Sequence, residues 1–95
     1  MTYIETIEPI ELHHRMMVLM KIVREHGVAD NIKSVWLGQM TYAVITIESF
    51  NWSLSNRPDV DVKVHKLSKT SATHVAQWNI DGVQYEISAL EEIQS

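Results

Sequence analysis

The dipeptide Asp81-Gly82 constrains the fold more than any other feature of this sequence, because it separates two segments that alternate apolar and polar residues. An Asp-Gly pair readily adopts the positive φ angles of a type I′ turn, which closes a two-residue β-hairpin. A loop of this length also fixes the register of the two strands. The predicted pairs are Ile80–Val83, Trp78–Tyr85, Ala76–Ile87 and His74–Ala89. The sequence therefore predicts a β-hairpin over residues 73–89 with one apolar face.

A helix is predicted over residues 9–26. Pro9 suits its first turn, where no N–H is needed, and Gly27 is a favourable stop. Apolar residues follow at spacings of four, three and four, namely Leu12, Met16, Leu19 and Val23. Three more apolar residues lie outside this stripe, namely Met17, Val18 and Ile22. Because the middle of the helix is apolar nearly all round, either the domain wraps it or a second chain packs on it. These three residues are therefore candidates for an oligomer interface.

Further strands are predicted at residues 3–7, 34–37 and 60–64, where apolar and β-branched residues recur. Residues 40–54 are ambiguous. The run Ala-Val-Ile-Thr-Ile favours a strand over 40–48, because β-branched side chains lose χ1 freedom in a helix. Helical spacing also fits this segment, through Met40, Ala43, Val44, Ile47, Phe50 and Leu54. Near the C-terminus, the sequence from Ser88 to Glu91 resembles a capping box and predicts a short helical turn.

These elements predict a single α+β domain over residues 1–95. One N-terminal helix packs on an antiparallel sheet of four to five strands that ends in the hairpin 73–89, which gives two layers. A chain of 95 residues supports one domain, and its 45% apolar content is that of a globular protein.

Composition excludes several classes of protein. The chain has no cysteine, so it has no disulfides and no thiolate zinc site. Eight basic and twelve acidic residues give a net charge of −4, which disfavours nucleic acid as a partner. No apolar run reaches the roughly 18 residues of a membrane span, and the start of the chain does not resemble a signal peptide. We expect a cytoplasmic protein without membrane contact.

No catalytic motif is present, so we expect neither enzymatic activity nor a cofactor. The chain has no Gly-x-Ser-x-Gly elbow and no glycine-rich phosphate loop. His13 and His14 are adjacent on the helix and point about 100° apart, so they do not chelate a metal together, and no metal site is expected. His74 is predicted on the apolar face at the end of the hairpin, where packing is the ordinary role of a histidine.

Two groups of residues are candidates for binding a partner. Phe50 and Trp52 are aromatic residues in a polar stretch, where core packing competes with the role of exposed anchors. The second group places half of the basic residues within thirteen positions, with a histidine among them, and is formed by Arg57, Lys63, His65, Lys66 and Lys69. Such lysines also protect a sheet edge from unwanted pairing.

Three functions remain open at this stage. The first, which we favour, is a small acidic interaction protein that inhibits or regulates another protein by covering its surface. Phage counter-defence proteins and toxin-immunity proteins are comparable in size and charge. The second is a ligand-binding or enzymatic domain with a pocket between helix and sheet, near His74. The third is a self-associating structural subunit, such as the subunit of a dimer, which is joined to its copy through the helix or through an exposed strand edge.

Overall fold

A computed structural model describes residues 2–4, 8–38, 40–55 and 57–93 and confirms an α+β domain with helix packed on sheet. The elements in chain order are β1 (Thr2–Ile4), α1 (Pro9–Glu25), β2 (Ile32–Leu37), β3 (Met40–Ile45), α2 (Ile47–Ser53), β4 (Asp61–Lys66), β5 (Ser71–Ile80) and β6 (Val83–Glu92). A 3₁₀ turn over Ala29–Asn31 leads into β2. The first strand covers the start of the predicted segment 3–7, and residues 5–7 lie outside the described part of the chain.

The sheet has six strands in the order β1-β2-β3-β6-β5-β4, and it is mixed. The pairs β1–β2 and β3–β6 are parallel, and the other three pairs are antiparallel. The expectation of a wholly antiparallel sheet with four to five strands was therefore wrong. Parallel neighbours need a long crossover connection. Helix α1 lies between β1 and β2 in the chain, and the segment from α2 to β5 joins β3 to β6.

The predicted hairpin is confirmed, including its register. All four predicted residue pairs, from Ile80–Val83 to His74–Ala89, are present. Asp81 and Gly82 both have positive φ, at 53° and 77°, as a type I′ turn requires. The strands extend beyond the predicted range, since β5 begins at Ser71 and β6 ends at Glu92. The predicted helical turn at residues 88–91 was wrong, because that segment pairs with β5 throughout.

Helix α1 confirms the predicted helix and shows which of its apolar residues form the core. Leu19, Ile22 and Val23 are buried against the sheet. Ile22 is thus a core residue, and its assignment to an oligomer interface was wrong. Val18 is half-buried and packs against the same core, whereas Met17 is 60% exposed. The domain itself therefore covers most of the apolar surface that the sequence left without a partner.

Residues 40–54 contain both of the alternatives that the sequence left open. Strand β3 takes the β-branched part and ends at Ile45, and helix α2 begins directly afterwards. The switch occurs at Thr46, which caps the helix: its hydroxyl accepts a hydrogen bond from the backbone N–H of Ser49 at 3.3 Å. The apolar residues at helical spacing, Phe50 and Leu54, then point into the core and are fully buried.

The two helices cover one face of the sheet. Residues of β2, β3, β5 and β6 that alternate toward this face form the core with α1 and α2, and they include Leu37, Ala43, Ala76, Tyr85 and Ile87. Helix α1 contacts β2 and β3, and α2 contacts β6. Strand β4 lies at the end of the sheet, so the predicted half-buried strand is more exposed than expected. Val62 is half-buried on this face, and Val64 is 58% exposed.

We predict that Gly82→Ala destabilises the domain by about 1 kcal/mol, because an alanine in the left-handed region is strained. A Cβ atom at this position would meet nothing within 4 Å, so the cost comes from the backbone alone. Chemical unfolding measures the change in free energy. Asp81→Asn is the matched control, since asparagine tolerates positive φ. Equal stability of Gly82→Ala and the wild type would contradict the argument.

Candidate functional site

The face of the sheet opposite the helices lies outside the hydrophobic core cluster. No helix of the described chain packs on it. We call it the open face and define it by the outward side chains of β2, β3, β5 and β6, which include Ser34, Trp36, Met40, Tyr42, Val44, Thr73, Val75, Gln77, Gln84, Glu86, Ser88 and Leu90. Lys63 and His65 extend it onto β4.

An aromatic pair lies on the open face near the β1 edge. The rings of Trp36 and Tyr42, which are opposite each other on β2 and β3, stack with a centroid distance of 6.0 Å and an interplanar angle of 5°. Both side chains are only half-buried. Sequence analysis missed this pair. The signal was present in β3, where Tyr42 alternates with the buried Thr41 and Ala43, but the pairing of β2 with β3 was needed to bring Trp36 to it.

A hydrogen-bonded cluster lies next to the aromatic pair. Glu86 is opposite Tyr42 on one side and Gln77 on the other. One oxygen of its carboxylate, Oε2, accepts hydrogen bonds from Nε2 of Gln77 at 2.8 Å and from Nε2 of Gln84 at 2.6 Å. These bonds fix three polar side chains in one arrangement. A surface that is already ordered loses less conformational entropy when it binds a partner.

Two large apolar side chains lie at the ends of the open face. Met40 is 46% exposed at one end and Leu90 is 51% exposed at the other. Leu90 also lines a groove of about 310 Å³, with Lys33 and Glu92 on the sheet and Ile47 and Glu48 at the start of α2. The groove is therefore lined by two aliphatic side chains and by charges of both signs.

The residues that the sequence predicted to bind a partner are dispersed. Lys63 and His65 lie on the same side of β4 and are exposed, together with Asp61. Lys66 ends the strand, Lys69 lies in the following turn, and Arg57 is exposed before the strand. Trp52 lies on α2 and is 91% exposed.

Phe50 does not belong to any surface. Its side chain is completely buried, so its assignment as a partner-binding residue was wrong. The helical spacing of residues 47, 50 and 54 carried the correct signal, because it directs Phe50 toward the sheet while Trp52, two residues later, points away.

His74 is enclosed by its neighbours. It lies on the helix-covered face, with its ring edge-on to Phe50 at a centroid distance of 5.7 Å. Its Nε2 is 2.9 Å from a carboxylate oxygen of Glu91 on β6. A carboxylate beside a histidine orients the ring and is one part of a catalytic triad. Among the hydrogen bonds of the described residues, no serine or threonine hydroxyl joins this pair.

The other histidines of interest lie at the start of α1. His13 and His14 are exposed, and His14 borders a shallow depression with Glu8, Ile10 and Glu11. Within the described ranges there is no group of three or more His, Asp or Glu side chains placed to hold a metal ion.

Arg15 connects helix α1 to the turn between β2 and β3. Its Nη1 donates a hydrogen bond to the carbonyl oxygen of Gly38, and its Nη2 lies 3.3 Å from a carboxylate oxygen of Glu11. The same carbonyl accepts a hydrogen bond from the hydroxyl of Thr41 at 3.0 Å. Thr41 is fully buried, so this bond satisfies a polar group in the core.

The phenol of Tyr85 has a raised pKa. Burial in the core disfavours its charged form, and the nearby carboxylates of Asp81 and Glu11 act in the same direction, while Arg15 acts against them. The phenol is therefore neutral at ordinary pH, and a neutral Tyr85 can pack in the core without burying a charge.

Comparisons with models of protein families, with curated proteins and with solved structures found no match to this chain. No helix in the described chain combines the length and the apolar character that crossing a membrane would require.

We predict that Phe50→Ala lowers the free energy of unfolding by about 3–5 kcal/mol, because it leaves a cavity in the core. Trp52→Ala is the matched control on the same helix and should change stability by less than about 0.5 kcal/mol. Urea unfolding followed by circular dichroism measures both. A large loss with Trp52→Ala would mean that the exposed ring packs in a way that the structure does not show.

Alkaline pH should destabilise the folded protein through Tyr85. In the unfolded chain this phenol ionises near its ordinary value of 10.0, whereas in the folded chain its pKa is higher. The folded state then holds the proton when the unfolded state has lost it, so stability is complete below pH 10 and falls as the pH rises toward the folded pKa. Tyr85→Phe should reduce this dependence in unfolding experiments from pH 8 to 12. Tyr42→Phe, on the open face, is the control.

Proposed function

We propose that this protein is a small interaction protein that binds another protein through its open face. The observation that supports the proposal is the stacked, half-exposed pair of Trp36 and Tyr42, which lies on a sheet face that neither helix of the described chain covers. Aromatic residues and methionine are enriched in protein interfaces, and tryptophan and tyrosine are prominent among the residues that dominate binding energy. Met40 lies two residues from Tyr42 on the same face.

The polar part of the open face supports a protein partner rather than a nucleic acid. Its centre is the carboxylate of Glu86, held by two glutamine amides, and the whole chain has a net charge of −4. A phosphate backbone is repelled by such a surface. The open face offers a protein partner an apolar and aromatic region around an ordered acidic centre. A complementary partner surface would therefore carry aliphatic side chains and basic side chains.

In this proposal the protein acts by binding alone, without chemical change to its partner. It inhibits or regulates its partner by covering part of the partner's surface, as counter-defence proteins of phages and toxin-immunity proteins do. The absence of cysteine fits a reducing compartment, so we place the encounter in the cytoplasm.

The ligand-binding or enzymatic alternative has one observation in its favour, the oriented pair of His74 and Glu91. Phe50 and β6 occupy the space around this histidine. The open face offers a larger and more accessible surface, so we favour binding over catalysis.

We predict that a photoreactive amino acid at position 40 or 90 crosslinks the same protein in cells of the organism that encodes the chain. Position 10 is the control, because Ile10 is 86% exposed but lies on α1, away from the open face. Mass spectrometry identifies the crosslinked protein. Crosslinking of that protein from position 10 alone would place the interface elsewhere.

Binding of the identified partner should then depend on the open face. We expect Leu90→Glu to weaken it by tenfold or more, since a charge replaces an apolar contact in a buried interface. Met17→Glu, an equally drastic change on the exposed side of α1, should have no effect. Calorimetric titration measures both variants, and equal affinity of Leu90→Glu and the wild type would overturn the proposal.

A further inference from the structure

The carboxylate of Glu86 lies at the centre of the open face without a cation beside it. Its side chain is half-buried, and the ion pairs among the described residues involve Glu11 and Glu91 but not Glu86. A charged group that is partly withdrawn from water is stabilised when an opposite charge approaches it. The open face therefore holds a negative charge that a positive group of a partner would neutralise.

The side chains that hold this carboxylate leave oxygen atoms for a further donor. Gln77 and Gln84 each donate from Nε2 to Oε2 of Glu86, and we call these three residues the Glu86 cluster. Within the described chain, no hydrogen bond reaches the carbonyl oxygens of the two amides or Oε1 of the carboxylate. A ligand that fits these oxygens carries several N–H donors and needs no acceptor in return.

An aromatic ring borders the cluster on its other side. Tyr42 is opposite Glu86 on the neighbouring strand, and its half-buried ring is parallel to that of Trp36. The face of an aromatic ring attracts a cation, and a planar cation can also stack flat on it. A cation that donates to the Glu86 cluster would therefore gain a second contact from Tyr42.

We infer that the open face binds an arginine side chain of the partner, whose guanidinium group stacks against Tyr42 and donates hydrogen bonds to the Glu86 cluster. The inference rests on the proposed function, because it names the chemical group by which that partner is recognised. Arginine fits better than lysine, since the guanidinium group is planar, weakly hydrated and presents a fork of N–H donors. The ammonium group of lysine is compact, strongly hydrated and does not stack.

A second carboxylate adds to the attraction for a cation. Asp61 is exposed on β4, opposite Gln77. With the two glutamines of the cluster it lines a cavity of about 180 Å³, which Trp78 and Asn79 complete. A cavity of this size has room for several water molecules, so a side chain of a partner can reach the amides by displacing them.

Small probes test the inference without a partner. N-acetyl-arginine amide and its lysine and citrulline counterparts are titrated into isotope-labelled protein, and nuclear magnetic resonance follows the side-chain amides of Gln77 and Gln84 and the indole N–H of Trp36. Citrulline has nearly the shape of arginine but no charge. We expect saturable shifts with arginine, binding that is about threefold weaker with lysine, and no saturable shift with citrulline.

Variants of the protein test which side chains form the site. Glu86→Gln keeps the shape of the side chain and removes its charge, so it should weaken arginine binding by about tenfold. Glu48→Gln is the matched control, since it makes the same change on α2 and should leave binding unchanged. Tyr42→Leu should weaken binding by about threefold, whereas Tyr42→Phe keeps the ring and should bind like the wild type.

The same contact is measurable in the complex. Once crosslinking has identified the partner, each arginine of its interface is replaced with lysine and titrated against the wild type and Glu86→Gln. One arginine should be coupled to Glu86. Its replacement should weaken binding to the wild type by about tenfold, and binding to Glu86→Gln by much less.

Several outcomes would contradict the inference. The arginine probe could bind no better than lysine or citrulline, or Glu86→Gln could bind it as the wild type does. A partner that crosslinks from positions 40 and 90 but has no arginine coupled to Glu86 would also refute the inference, and it would leave the proposed function intact. Absence of crosslinking from both positions would instead refute the proposed function, whatever the probes show.

Discussion

The turn at Asp81-Gly82 is the constraint on which the rest of this fold depends. Its two positive φ angles leave one register for β5 and β6, and a shift of one residue would move every apolar side chain of the hairpin to the wrong face. The register places Tyr85 and Ile87 under the helices. Strand β3 then pairs parallel to β6, and through β3 the hairpin β2–β3 and helix α1 take their positions on the same core.

The division of the sheet into two unequal faces follows from the number of helices. Helices α1 and α2 cover one side from β2 to β6, and the chain has no further helix in its described part for the other side. The open face consequently combines half-buried aromatic rings with polar side chains that are hydrogen-bonded to one another. A long, fully apolar surface would aggregate, whereas this one is interrupted by Glu86 and its glutamine partners.

Local signals in the sequence predicted most of the local structure, but not all of it, since the capping-box pattern at residues 88–91 lies in strand β6. Turn chemistry predicted the hairpin and its pairs, and the apolar stripe predicted α1, because both depend on neighbouring residues. Strand order and the parallel pairs depend on contacts between distant segments, which alternation alone does not specify. The open face was missed for the same reason: Trp36 and Tyr42 become neighbours only when β2 pairs with β3. Ile22 was misassigned because it lies outside the predicted stripe of α1, and Phe50 because the strand interpretation of residues 40–48 was preferred to the helical spacing that Phe50 also fits.

The carbonyl oxygen of Gly38 accepts hydrogen bonds from two directions, from Arg15 on the helix and from Thr41 on the next strand. Both of its lone pairs are thereby engaged. The turn between β2 and β3 is anchored to α1 as firmly as to its own sheet. Displacement of this corner would therefore break a hydrogen bond to the helix as well as one to strand β3, so the helix resists any opening of the sheet at its aromatic end.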